Sequence, residues 1–242
     1  MKTLSRWYSA RVQQEVAVVR YGTYGVPVLL FSTAGGDAEE AERFLMVEAL
    51  GGLLDAGRIK LFTCDSVAGR AWTSGEMSPR HCSWLQNQFD GFVYHELVPA
   101  IHQDCGSRDL GIIAAGASIG AFNAVAATCR HPDVFHKAIA MSGTYDLGRF
   151  LHGEWNDDIY YSSPLHFLPG LGEGEHLDML RRRFILLATG EGRWEDPGES
   201  WRMAQVLGAK GVPNRVDAWG TEWDHDWPTW RQMLPIYLDT WS

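Results

Sequence analysis

The sequence predicts an α/β fold, with a mainly parallel sheet covered by helices on both faces and built as a single domain over residues 1–242. Three observations predict it. Short apolar runs alternate with stretches of helical period along most of the chain, the order that buries a parallel sheet between helices. A chain of 242 residues that is 45% hydrophobic and 21% charged is of a size that one such core can serve. The pentapeptide Gly116-Ala-Ser-Ile-Gly120 follows a buried strand-like run and precedes an Ala-rich helical one, so it reads as strand, sharp turn and helix with a serine at the apex.

In chain order, strands are expected over 15–21 and 27–31. The second ends in the polar loop Ser32-Thr-Ala-Gly-Gly-Asp37. A helix is expected over 38–54, where Phe44, Val47, Leu50 and Leu54 recur at three- and four-residue steps, with Gly57 as its cap. A third strand over 59–64 leads into a loop carrying Trp72, then a helix over 78–102. The Ser118 strand and helix come next, then a strand over 137–143. An aromatic, Pro- and Gly-punctuated segment follows, an insertion within 144–178 expected to cap the rim of the sheet. Its Trp155, Tyr160, Tyr161 and Phe167 could wall a pocket or form a small core of their own. A strand over 183–189, a helix over 199–209, a strand over 214–219 and a helix over 228–238 close the chain. The first strands are expected at an antiparallel edge.

Charge and cysteine usage narrow the partners. A formal charge of −9 argues against nucleic acid and anionic membranes, and the short run Arg181-Arg-Arg183 suits a solvated helix end better than a polyanion site. Cys64, Cys82, Cys105 and Cys129 show no metal-like spacing and are expected to be free thiols. Neither an apolar leader nor an apolar run long enough to span a bilayer is present, so a cytoplasmic protein is expected. A homo-oligomer is compatible with the sequence. No metal or nucleotide cofactor is implied.

The chemistry centres on Ser118. A serine hydroxyl needs a base to take its proton, and that base needs an anion to orient it. In an open α/β sheet all three come from loops at the carboxyl ends of strands. A serine that only lets the helix approach the sheet would also fit the pentapeptide. Of nine histidines, His225 alone sits between the last strand and the closing helix, in Trp223-Asp-His-Asp-Trp-Pro228. The acid is expected after the strand over 183–189, in Gly190-Glu-Gly-Arg-Trp-Glu-Asp-Pro197. Glu195 is the first choice, with Asp196 and Glu191 as alternatives. Asp196, directly before Pro197, also suits a helix N-cap. The Ile119 amide is one candidate oxyanion donor, and Ala34 and Gly35 are the candidates for a second, each of the two donors expected to lower the barrier by roughly 3 to 4 kcal/mol. Trp72, Trp194, Trp223 and Trp227 are candidate walls for substrate. Asp224 and Asp226 flank His225 and are expected to act on the loop electrostatically.

Taken together, Leu29-Leu-Phe-Ser-Thr-Ala-Gly-Gly-Asp37, Gly116-Ala-Ser-Ile-Gly-Ala-Phe-Asn-Ala124, Arg130-His-Pro-Asp-Val-Phe135, Met141-Ser-Gly143, Gly190-Glu-Gly-Arg-Trp-Glu195 and His225-Asp-Trp-Pro-Thr-Trp230 resemble the esterase branch of the α/β-hydrolases. That branch includes S-formylglutathione hydrolases, feruloyl and enterochelin esterases and mycolyltransferases. The resemblance runs from about residue 15 to the C-terminus. It implies an α/β-hydrolase fold and a serine esterase, with Ser118 as nucleophile, His225 as base and a carboxylate between Glu191 and Asp196. The substrate would be a small-molecule acyl ester or thioester. A non-catalytic binding module on the same fold, or an acyltransferase or peptidase using the same serine, are the alternatives. The chain lacks the plain Gly-x-x-Asp common after the corresponding strand in that branch, which leaves the acid's identity open.

Overall fold

The computed structural model describes residues 1–241. Within them, β1 (Lys2–Ser9), β2 (Gln14–Tyr21), β3 (Val26–Phe31), β4 (Ile59–Cys64), β5 (Ile112–Ala117), β6 (Phe135–Met141), β7 (Phe184–Thr189) and β8 (Asn214–Ala218) form one sheet in the order β1-β2-β4-β3-β5-β6-β7-β8. β1 and β2 make the antiparallel edge, and every pairing from β4 through β8 is parallel.

Side chains alternate between the two faces of the central strands, as the two-residue strand period requires. Val28, Leu30, Ile113, Ala115, Ile139, Met141, Leu186 and Ala188 face one layer, built from the closing helix Trp227–Trp241 and the short helices between β3 and β4. Leu29, Phe31, Ile112 and Ala114 face the other way, onto the helices between β4 and β5 and the helix Ile119–Arg130. Ala138, Ala140, Ile185 and Leu187 extend that second layer toward helix Pro197–Ala209.

Several elements depart from expectation. β1 is absent from the sequence reading because nearly all its residues are exposed, so neither of its faces carries an apolar stripe. The expected helix over 38–54 is three short helices, Glu40–Arg43, Met46–Ala49 and Gly51–Asp55, broken where Leu45 turns left-handed at φ 61°. The helix expected over 78–102 widens to π pitch at Val93–Leu97, next to Pro99, which has no amide to donate to an α-helical ladder. Trp72 lies in a helix, Val67–Ser74, and not in a loop.

The helices Asp157–Ser162 and Pro164–Gly170 pack beside Pro79–Phe92, Ile119–Arg130 and Pro197–Ala209. Tyr160, Tyr161 and Phe167 therefore line a surface hollow with Arg130 and His131. That is the far end of the helix that begins beside Ser118, roughly 18 Å away at 1.5 Å per residue. They form no wall around the serine. Among the described residues no helix is long and apolar enough to cross a membrane.

Candidate active site

Ser118 directly follows β5, with φ 57° and ψ −122°, a backbone state that a residue with a side chain occupies only under strain. The turn is held on both sides. The Ser118 amide donates to Met141 O at 3.0 Å, and its carbonyl accepts from Ala121, Phe122 and Thr144. The flanking glycines are steric necessities. A Cβ on Gly116 would lie 2.2 Å from Gly120 O, and one on Gly120 would lie 2.5 Å from Phe31 O. Helix Ile119–Arg130 thus starts against the end of β3 with its first amides pointing past the serine, where the helix dipole favours negative charge. Among the described residues the amides of Ile119, Ala34 and Gly35 make no hydrogen bond.

The loop after β3 is braced from behind. The buried Glu40 carboxylate accepts from the Thr33 amide at 2.8 Å and, at the other oxygen, from the Thr33 hydroxyl. Burial pushes the Glu40 carboxyl above the usual carboxylate range, against the lowering effect of the two Thr33 bonds. In the sequence Thr33 carries no signal beyond its place in a polar loop, and Glu40 none beyond its place in the helix expected over 38–54.

Of the carboxylates in the loop after β7, Glu195 meets His225, with Oε2 at 3.7 Å from Nδ1 and the Glu195 side chain only 1% exposed. Asp196 points elsewhere. It caps helix Pro197–Ala209 by accepting from Gly198 N at 3.1 Å. Glu191 is exposed. The two loops are stitched along their length, by Glu191 N to Gly220 O, Gly192 N to Trp223 O and His225 N to Arg193 O. Asp224 adds bonds to the Arg193 amide at 2.7 Å and to its guanidinium, which holds the Asp224 carboxyl below the usual range.

Behind Glu195 lies a residue that the sequence singled out only as part of a strand end. Ser142 directly follows β6 and is also left-handed, at φ 49°. Its hydroxyl bonds Glu195 Oε1 and meets the indole Nε1 of Trp230 at 2.9 Å. Trp230 in turn packs edge-on against the His225 ring, with centroids 5.3 Å apart. Adjacent strand ends are therefore linked in sequence, from Ser118 through Met141 and Ser142 to Glu195 and His225. Among the described residues no hydrogen bond joins the Ser118 hydroxyl to His225.

The tryptophans divide. Trp72 is 5% exposed in the core, its Nε1 bonded to Gln86, so it is no substrate wall. Trp194 is left-handed, 79% exposed and under the Arg193 guanidinium. Trp223 packs on Trp219 and is half-buried, while Trp227 stacks on Phe44 with centroids 4.9 Å apart.

A sheet of this order, with a strained serine between its fifth strand and the following helix, defines an α/β-hydrolase fold. The family model described as "Putative esterase" matches residues 70–239, and the chain belongs to that family of carboxylic ester hydrolases. No curated protein matches by sequence. Among solved structures the chain resembles a ferulic acid esterase at TM-score 0.73 and 18% identity, covering 99% of this chain and 97% of that one. An S-formylglutathione hydrolase from Agrobacterium tumefaciens superposes at TM-score 0.75 and 12% identity, covering 99% and 94%. FphF, a fluorophosphonate-binding serine hydrolase of Staphylococcus aureus, superposes at TM-score 0.67 and 15% identity, covering 100% and 97%.

Proposed function

We propose that the chain hydrolyses small-molecule carboxylic esters or thioesters through an acyl-enzyme on Ser118. The Ser118 oxygen attacks the carbonyl carbon while its proton passes to His225 Nε2. The tetrahedral oxyanion faces the amides of Ile119 and of Ala34 or Gly35. Collapse expels the alcohol or thiol, which takes the proton from His225. A water then gives its proton to His225 and attacks the acyl carbon, and the acid leaves as Ser118 is reprotonated. Glu195 orients the imidazole through Nδ1 and stabilises its charged form. Trp194, Trp223 and Trp227 stand as apolar surfaces beside this edge. The four free thiols, with Cys64, Cys82 and Cys129 buried, agree with a cytoplasmic setting.

One observation carries the reading: a buried carboxylate facing Nδ1 of His225 on the same sheet edge as the left-handed Ser118. The missing Ser118–His225 bond is compatible with it, since such contacts tighten when substrate binds. The test uses p-nitrophenyl acetate and a fluorophosphonate. Ester turnover and covalent labelling at Ser118 are expected, both lost in Ser118→Ala and turnover at least about 10³-fold lower in His225→Ala. Full turnover by Ser118→Ala disproves the mechanism. A folded wild type inert to both reagents favours a binding module instead.

A further inference from the structure

We infer that Ser142 is a positioning residue that aims Glu195 at His225, through a hydrogen-bond relay from Trp230 to Ser142 to Glu195. This deepens the proposed function and rests on it. The direction of the relay is forced. An indole N–H can only donate, so the Ser142 oxygen must accept from Trp230, and its single hydrogen is left for Glu195 Oε1. Ser142 and Trp230 are 3% and 4% exposed, so water does not compete for either bond.

The carboxylate needs such a hold. Among the described residues its only other side-chain partner besides His225 is the Thr189 hydroxyl, at 3.3 Å, which also faces Gly190 O at 2.9 Å and has one hydrogen to share between them. Glutamate has one more rotatable bond than aspartate, so an unpinned Glu195 would sample orientations in which Oε2 leaves Nδ1. With Oε1 fixed by Ser142, the second oxygen is kept toward the imidazole.

The backbone points the same way. Ser142 sits at φ 49°, where glycine would be free of strain. Its amide donates to Ala188 O at 2.8 Å, which fixes the turn between the ends of β6 and β7. A strained serine kept where glycine would be easier marks a needed hydroxyl.

A double-mutant cycle in the full-length chain tests this with p-nitrophenyl acetate. Ser142→Gly removes the hydroxyl while relieving the backbone, so a purely structural role predicts a lower Tm with undiminished kcat. The relay predicts a kcat about 10- to 100-fold lower with KM within about threefold, beside whatever Tm is lost when Trp230 Nε1 and Glu195 Oε1 lose their buried partner. In a Glu195→Ala background the same substitution should cost nothing further. Ser142→Ala, which keeps the backbone conformation, serves if the glycine variant does not fold. Wild-type kcat in the Ser142 variants, or an equal loss in both backgrounds, overturns the inference. If Ser118→Ala retains turnover, the underlying mechanism has failed. If Ser118→Ala and His225→Ala are inactive while the Ser142 variants are not, only the relay has.

Discussion

Replacing Ser118 by glycine should make the protein more stable than replacing it by alanine, although both variants lose the nucleophile. The two differ in one respect that the structure isolates. Each keeps the Ser118 amide bond to Met141 O and the carbonyl bonds from Ala121, Phe122 and Thr144, because these are backbone contacts. Alanine keeps the Cβ that makes φ 57° with ψ −122° costly, and glycine removes it. A residue held in such a region costs on the order of 1–3 kcal/mol. Glycine gives back about 0.4–1 kcal/mol through the greater freedom of its unfolded chain. The difference centres near about 1 kcal/mol, or ~2–4 °C in Tm for a domain of this size. The assay is thermal denaturation of both variants at one pH and concentration, followed by circular dichroism. If the glycine variant melts with or below the alanine variant, the turn stores no strain at Ser118.

Glu195→Ala should lower kcat by about 10³-fold or more. Asp196→Ala should leave turnover within a few-fold and cost about 1 kcal/mol of stability by removing the cap on Gly198, both readable by steady-state kinetics and denaturant titration. Equal kinetic losses in the two would mean the acid is misassigned. Glu40→Gln should stabilise the protein increasingly as pH rises above the ordinary glutamate range and through the raised value of the folded Glu40 carboxyl. Burial raises the folded carboxyl's pKa, so the native Glu40 contributes fully below the unfolded value, and that contribution is lost as pH climbs through the folded one. A Tm difference between Glu40→Gln and wild type that does not change with pH would refute this. Trp194→Gly frees a left-handed backbone and deletes an exposed ring, so KM for a p-nitrophenyl ester should rise about fivefold with kcat unchanged. An unaltered KM removes Trp194 from the substrate path.

The central strands and the Ser118 turn were legible because burial on both faces leaves unbroken apolar runs, and because Gly116 and Gly120 answer to close contacts that no other residue allows. Asp196 was legible as a cap from the proline behind it, and it does accept from Gly198 N. What hid was whatever depends on the third dimension. β1 carries no buried face, so it leaves no period to read. The stretch over 38–54 has helical spacing of apolar residues, yet Leu45 breaks it, and short-range spacing does not encode a reversal of the chain. Trp72 sits in a helix that contains Gly69, a residue that reads as a breaker. There a Cβ would come within 3.1 Å of Ala34, so the glycine serves the approach of the helix to the loop after β3. Tyr160 and Tyr161 stand out in the sequence as part of an aromatic segment, but which end of the neighbouring helix they reach follows only from packing.

Three of the six non-glycine residues with positive φ among the described residues share a location that no one of them explains. Ser118, Ser142 and Trp194 are left-handed without being glycine, and they lie in the loops after β5, β6 and β7, neighbours in the sheet. Glycine at each would relieve the backbone, so each side chain must return more than the turn costs. For Ser142 the return is internal, since its hydroxyl is spent entirely on Glu195 and Trp230. Trp194 gains almost nothing from packing at 79% exposure, and the Arg193 guanidinium over its ring is a solvent-exposed contact worth about 0.5–1 kcal/mol. Ser118 has no hydrogen-bond partner for its hydroxyl among the described residues. For these last two the described residues offer little or no compensating contact. That is the expected signature of an edge shaped to meet a ligand and not to complete a core.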